Sequence, residues 1–202
     1  FARTDPAKGH SGITSFLIEP DFEGFSVGKH EEKLGLLSSF TVSIFFENCR
    51  VSEKQILGGL NNGFKLAMSA LDSGRIGIAS QAVGIAEAAL QASIEYVRTH
   101  ESEGKPMVKN QLIQFKLADM EKKLAAAELL AYRAAWLKDR EADFTLAAAT
   151  AKLFASEACG EIVSDAVQIH GLDGYTEKYL VEKYMRDAKI TTIYEGTSQI
   201  QK

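Results

Sequence analysis

The sequence predicts a mainly α protein: a C-terminal antiparallel helical bundle preceded by part of an antiparallel β-domain. Beyond Asn61, apolar residues recur at spacings of three and four over long stretches, the signature of helices with one buried face. Before Gly59 the apolar period is two, and two of the three prolines fall there. Long Ala-rich segments with short connections read as an antiparallel bundle. These observations divide the chain into a partial β-domain, 1–60, and a helical domain, 61–202.

In the first region Ile13 to Ile18 is a short β-prone run closed by Glu19-Pro20. Val42, Ile44 and Phe46 alternate with Ser43 and Phe45, which marks a second strand. Four or so strands with unpaired edges do not close a barrel and call for partners. In the second region Ile76, Ala79, Val83, Ala86, Leu90, Ile94 and Val97 line one helix face. Ile113, Leu117, Met120, Leu124, Ala127, Ala131 and Ala134 line another. Glu101 to Lys109 connects the two, with Gly104 and Pro106 as breakers. A third helix is expected from Thr145 to His170, with Asp143 as its N-cap and Gly171 to Gly174 as its end. Shorter helices are expected at Lys178 to Met185 and after Gly196.

Composition excludes several functions. Hydrophobic residues at 46% and charged residues at 25% are ordinary for a globular protein. A formal net charge of -4 with scattered cations gives no footprint for nucleic acid or an anionic membrane. No apolar run approaches the ~20 residues a bilayer crossing needs. Cys49 and Cys159 are far apart, and His10, His30, His100 and His170 lack ligand spacing, so neither a disulfide framework nor a metal site is expected. The start, Phe1-Ala2-Arg3-Thr4, is no signal peptide and has no initiator Met, so the chain is read as cut from something longer.

Two glycines interrupt the first helix in Leu71-Asp72-Ser73-Gly74-Arg75-Ile76-Gly77-Ile78-Ala79-Ser80-Gln81, each costing about 1 kcal/mol relative to Ala. Tight helix packing is one reading of them. Near the other end stand Arg186-Asp187-Ala188-Lys189-Ile190 and Ile193-Tyr194-Glu195-Gly196-Thr197-Ser198-Gln199-Ile200-Gln201. These blocks, with Gln114 to Met120 between them, resemble the acyl-CoA dehydrogenases, the short-chain (butyryl-CoA) type above all. The likeness extends to a Leu34-Gly35 strand lead-in and to the Asp165-to-Ile169 helix end.

The resemblance implies flavin-dependent α,β-dehydrogenation of a short acyl-CoA, with FAD as cofactor. Such chemistry needs a polarised thioester carbonyl, a base at the α-carbon and a hydride acceptor at the β-carbon. Glu195 is implied as the base. It follows an apolar, β-branched run and precedes Gly196, where the backbone can bend close to a ligand. Asp72, Ser73, Gly74 and Arg75 match the stretch along the CoA arm, and Tyr194 and Gly196 match substrate contacts. Thr197, Ser198 and Gln199 match flavin contacts, Thr197 also suiting a helix N-cap. Gln111, together with Gln168, Ile169, His170, Gly171 and Leu172, matches positions that reach a neighbouring subunit's flavin. A homotetramer, electron-transfer flavoprotein as acceptor, and residence in a bacterial cytoplasm or mitochondrial matrix are further implications.

The family pattern breaks in places. An Arg-x-Gln-Phe-Gly-type run is here His100-Glu101-Ser102-Glu103-Gly104, so the flavin-facing Arg is His100 and Phe is Glu103. A Gly-Gly turn is here Gly171-Leu172. The family's N-terminal helical domain and first strands are absent, so this chain alone is expected to be catalytically incomplete. The breaks favour a non-catalytic paralogue with decayed flavin contacts, whereas the intact Tyr194-to-Thr197 block favours an enzyme. An acyl-CoA oxidase is a third reading, from which the Asp72-to-Gln81 block leans away.

Overall fold

A computed structural model describes all residues, 1–202. The chain forms two compact units, Phe1–Lys33 with Leu37–Leu71, and Leu34–Leu36 with Asp72–Lys202.

The first unit holds β1 (Ala2–Arg3), β2 (Ile13–Phe16), β3 (Phe25–His30), β4 (Val42–Phe46) and β5 (Ile56–Leu57). β1, β2 and β5 make one antiparallel sheet, and β3 pairs with β4 in another. The alternation at Val42–Phe46 forms the expected strand. The Ile13 run stops at Phe16 rather than Ile18, because its partner strand ends at Ile56: the Leu17 N–H reaches the Gln55 carbonyl, and Gln55 already belongs to the turn Glu53–Gln55. The Thr14 hydroxyl ties the unit together, lying 2.7 Å from that of Thr4 and accepting from the Asn61 N–H at 2.8 Å. Ile44, Phe45 and Phe46 all stay exposed, which agrees with a sheet that lacks partners.

The second unit contains most of α1 (Gly63–Thr99), then the small hairpin β6 (Glu101–Ser102) and β7 (Lys105–Pro106). α2 (Gln111–Asp139), α3 (Thr145–His170), α4 (Val181–Ala188) and the single turn α5 (Ser198–Gln201) follow. Lys116 pairs with Asp165, and Lys123 with Glu161 at 2.7 Å. Residue numbers rise along α2 as they fall along α3, so the two helices are antiparallel. The core consists mainly of small side chains, among them Ala82 and Ala89 on α1, Ala127 and Ala134 on α2, and Ala151 and Ala155 on α3. Leu90, Met120 and Ile162 fill what remains. No helix is long and apolar enough to cross a membrane.

Three expectations shift. Asp143 accepts from the Thr145 N–H at 3.1 Å, but Phe144 occupies the cap position itself. The helix expected at Lys178 begins only at Val181, since Lys178 is drawn to Asp173 at 3.0 Å and Tyr179 into an aromatic cluster. Leu34-Gly35 forms no strand. A Cβ on Gly35 would lie 2.5 Å from the Arg186 carbonyl oxygen, and Arg186 donates to the Leu34 carbonyl at 3.2 Å. The Leu36 N–H donates to the Asp187 carboxylate at 2.6 Å.

Asp187 is buried, and burial alone would push its carboxyl up. The Lys183 ammonium, the Leu36 N–H and the Arg186 charge outweigh that and hold it below the usual value. A lowered folded pKa means stability present above the unfolded value of about 3.9 and lost as pH falls through the folded one. Asp187→Ala is therefore expected to destabilise the full-length protein by about 2 kcal/mol at neutral pH, the worth of a charged hydrogen bond. Urea unfolding should show that difference shrinking below roughly pH 4.

Candidate active site

Glu195 sits where the chain leaves the turn at Lys189–Thr192 for α5. The Ile193 and Tyr194 N–H groups both reach back to the Ile190 carbonyl, which tightens the approach. Glu195 and Gly196 then both take left-handed backbone, with φ of 53° and 93°. Such a φ costs a non-glycine residue roughly 1–2 kcal/mol, so the surroundings must hold Glu195 there. A side chain at Gly196 would be strained by that φ and would push aside Gln201 Nε2, which lies 2.4 Å from where its Cβ would stand.

The turn delivers the Glu195 carboxylate to α1. Its Oε2 is buried and has no hydrogen-bond partner. A Cβ on Gly74 would stand 2.6 Å from that oxygen. Gly74 is thus a close-approach glycine. Gly77 has nothing within 4 Å of a built Cβ, so tight packing does not explain it.

Charged and polar groups surround this carboxylate. Arg75 pairs with Asp72 at 2.8 Å, and Asp72 also accepts from the Thr145 hydroxyl at 2.8 Å. Arg75 Nε is buried without a partner. Ser73 lies half-buried between them. The Tyr194 hydroxyl donates to Gln81, and burial pushes its pKa up against that hydrogen bond. From α3, Lys152 donates to the Gly196 carbonyl at 2.6 Å. Burial and the Arg75 charge pull the Lys152 ammonium down, while the Glu195 charge opposes them. Ser198 Oγ is buried and also unpartnered. Thr197 occupies the cap position of α5 but makes no side-chain cap bond, and Gln199 is exposed.

The arrangement can hold a carboxylate ready beside two unpartnered donors. An unpaired buried oxygen and an unpaired buried hydroxyl are costly within a folded chain, and such groups are expected where a ligand completes the bonding. No set of His, Cys, Asp or Glu side chains could hold a metal ion.

His100, Gln168, Ile169, His170 and Gly171 gather in a separate place. A cavity of about 570 Å³ there is lined by Tyr96, Asn110, Lys116, Gln168, His170 and Gly171, among others. The His100 ring stacks on Tyr96 with centroids 3.8 Å apart. Its Nδ1 donates to the Tyr96 carbonyl at 2.8 Å, and its Nε2 faces the Tyr179 hydroxyl at 3.4 Å. His170 Nδ1 donates to the Ala166 carbonyl at 2.8 Å, leaving Nε2 buried and unpartnered. Burial lowers the His170 pKa, with the Ala166 bond opposing and His100 adding to the fall. Gln111 and Leu172 are exposed and do not line this cavity. Glu103 and Gly104 form the tip of the β6–β7 hairpin, both left-handed, as a two-residue hairpin turn requires.

The sequence reading assigns no role to Lys152, Gln81 or Gln201. For Lys152 a signal existed: Ala148, Lys152, Ala155 and Cys159 fall on one buried helical stripe, and a lysine there is out of place.

Comparison with known proteins places these features in a family. The model described as "Acyl-CoA dehydrogenase, C-terminal domain" matches residues 61–202. The short-chain specific acyl-CoA dehydrogenase of Megasphaera elsdenii is 48% identical over 201 residues, covering 100% of this chain and 52% of that protein. The caffeyl-CoA reductase-Etf complex subunit CarC of Acetobacterium woodii is 46% identical over 201 residues, with 100% and 53% covered. Among solved structures, butyryl-CoA dehydrogenase from Megasphaera elsdenii superposes with a TM-score of 0.97 at 48% identity, covering 99% of this chain and 52% of that one. The chain spans about half the length of the curated relatives it matches.

Proposed function

We propose a function from one premise: the chain belongs to the acyl-CoA dehydrogenase family. It is the C-terminal half of a flavoenzyme that removes the α-proton and β-hydride of a short acyl-CoA, giving the trans-2-enoyl-CoA. The observation that carries this reading is the unpartnered Glu195 carboxylate oxygen, turned by left-handed backbone onto Gly74.

FAD, when bound, supplies the acceptor for the β-hydride. Thr197 and the unpartnered Ser198 hydroxyl fit the flavin beside the base. Glu195 takes the α-proton. Asp72, Ser73, Gly74 and Arg75 lie along the CoA arm, and Tyr194 and Gly196 flank the reacting end. The Arg75–Asp72 pair is mostly buried, so a phosphate or amide arriving there meets a preset donor rather than a mobile side chain. Electron-transfer flavoprotein is the acceptor, in keeping with the Etf complex to which the Acetobacterium relative's name assigns it. The apolar α2 face of Leu112, Phe115, Leu129, Tyr132 and Trp136 is exposed and suits a second copy in a tetramer.

Substrate preference lies at about four to six acyl carbons. Each buried methylene is worth roughly 0.8 kcal/mol, so selection is graded. The test is anaerobic bleaching of the 450 nm flavin band in the full-length protein by a ladder of acyl-CoAs, alongside sedimentation of the loaded protein. The expected result is maximal kcat/KM at butyryl- to hexanoyl-CoA on an oligomer. A maximum at dodecanoyl-CoA, no bleaching by any thioester, or a clean monomer each removes the corresponding part of the proposal.

The second reading, a paralogue with decayed flavin contacts, is favoured by His100, whose ring nitrogens are both engaged within the chain.

A further inference from the structure

Lys152 has no relative exposure at all. Lysine is almost never fully buried unless paired, and no carboxylate lies within ion-pair distance of it. Its recorded partner is the Gly196 carbonyl, at 2.6 Å. A Met or Leu would fill the same space without a buried charge. A group that packing disfavours and that points at the turn bearing Glu195 calls for a role at that turn.

The Glu195–Gly196 turn is tied at both of its carbonyls. Gln201 Nε2 donates to the Glu195 carbonyl at 3.0 Å and to that of Gly196 at 3.2 Å. Lys152 and Gln201 together saturate the Gly196 carbonyl, fixing the Gly196–Thr197 peptide plane, while Gln201 alone holds the plane directly after Glu195. With those donors removed, a residue at φ of 53° is free to relax toward ordinary backbone, and the carboxylate swings away from Gly74.

We propose that Lys152 is a positioning residue for the proposed base: its buried ammonium grips the Gly196 carbonyl and holds Glu195 in the left-handed turn that aims its carboxylate at the substrate. The inference rests on the reading of Glu195 as base. The charged groups facing this place are Arg75 and Asp72 on α1 and Glu195 itself, with the Tyr194 hydroxyl beside it.

The test compares Lys152→Met with the parent in the full-length, flavin-loaded protein. Replacing a buried lysine that has no ion-pair partner by an apolar side chain of similar length is expected to leave thermal stability and flavin content unchanged or raised. The rate of anaerobic flavin bleaching at saturating butyryl-CoA is expected to fall by about 10- to 100-fold, the scale of a small misplacement of a reacting group. Half-saturation should change little, and the kinetic isotope effect with α-deuterated butyryl-CoA should grow as proton removal becomes limiting. A purely structural role predicts the reverse pattern, with lost stability and an unchanged isotope effect. Bleaching within twofold of the parent overturns the inference. Should Lys152→Met fail to fold, Gln201→Leu decides through the same carbonyls: slower bleaching with a larger isotope effect supports the clamp, and parental kinetics overturn it. A parallel Glu195→Gln separates the two claims. If that variant still bleaches, the base assignment has failed; if it is inert while Lys152→Met is normal, only the clamp has.

Discussion

Glu195→Gln in the full-length protein is expected to abolish bleaching of the flavin by butyryl-CoA while the flavin stays bound. The substitution keeps side-chain length and the ability to sit on Gly74, but an amide cannot accept the α-proton. A positioned general base contributes about two to four decades of rate, and no other carboxylate stands ready to substitute. Asp72, the nearest alternative on α1, is engaged by both Arg75 and the Thr145 hydroxyl. Stopped-flow absorbance at 450 nm should show a fall of at least about three decades, with unchanged flavin stoichiometry and melting. Near-normal bleaching would remove Glu195 from the role and leave its buried, unpartnered oxygen without a purpose.

A second large effect is expected at the flavin's adenosine end. The resemblance sets His100 in the place of an Arg, and the His100 ring is committed to Tyr96 and Tyr179. Glu103 adds a negative charge at the tip of the adjoining hairpin, and Leu172 places an 81% exposed side chain where the resemblance implies glycine. One charged hydrogen bond is worth about 1.5–3 kcal/mol, or one to two decades in affinity. Flavin titration of the natural full-length protein beside a His100→Arg, Glu103→Phe double variant should therefore show about 10- to 100-fold tighter binding in the variant. Equal affinities would mean that another cation compensates, Lys105 and Lys109 being nearest along the chain.

Much of this was legible in the residues, for identifiable reasons. The helices follow from apolar spacing because each buries a single stripe, and the stripes read at Ile76–Val97 and Ile113–Ala134 contribute most of their residues to the core. The Tyr194-to-Ser198 block marked the candidate base through its resemblance to the family, since a lone Glu beside a Gly reads more readily as a solvated helix-start acid. What escaped the reading depends on distant partners. Strands of two residues, such as Ala2–Arg3 and Ile56–Leu57, carry no period and exist only by pairing with Ile13–Phe16. The left-handed conformation of Glu195 comes from neighbours on α3 and α5, not from the glutamate. Leu34-Gly35 reads as an approach to a strand, yet its contacts are with Arg186 and Asp187.

That last contact has a consequence for chain connectivity. Leu36 and Asp187 are 151 positions apart, yet Leu34–Leu36 is counted by its contacts with the helices. The helical unit is therefore discontinuous, and its native packing closes only after a segment from the early part of the chain has returned to α4. Loop-closure entropy must be overcome before that contact stabilises anything, which makes it a late, non-local event in folding. A polypeptide started at residue 61 would carry every long helix and still leave Asp187 without its backbone donor. Three residues from the early part of the chain thus complete a hydrogen-bond set that every long helix together cannot.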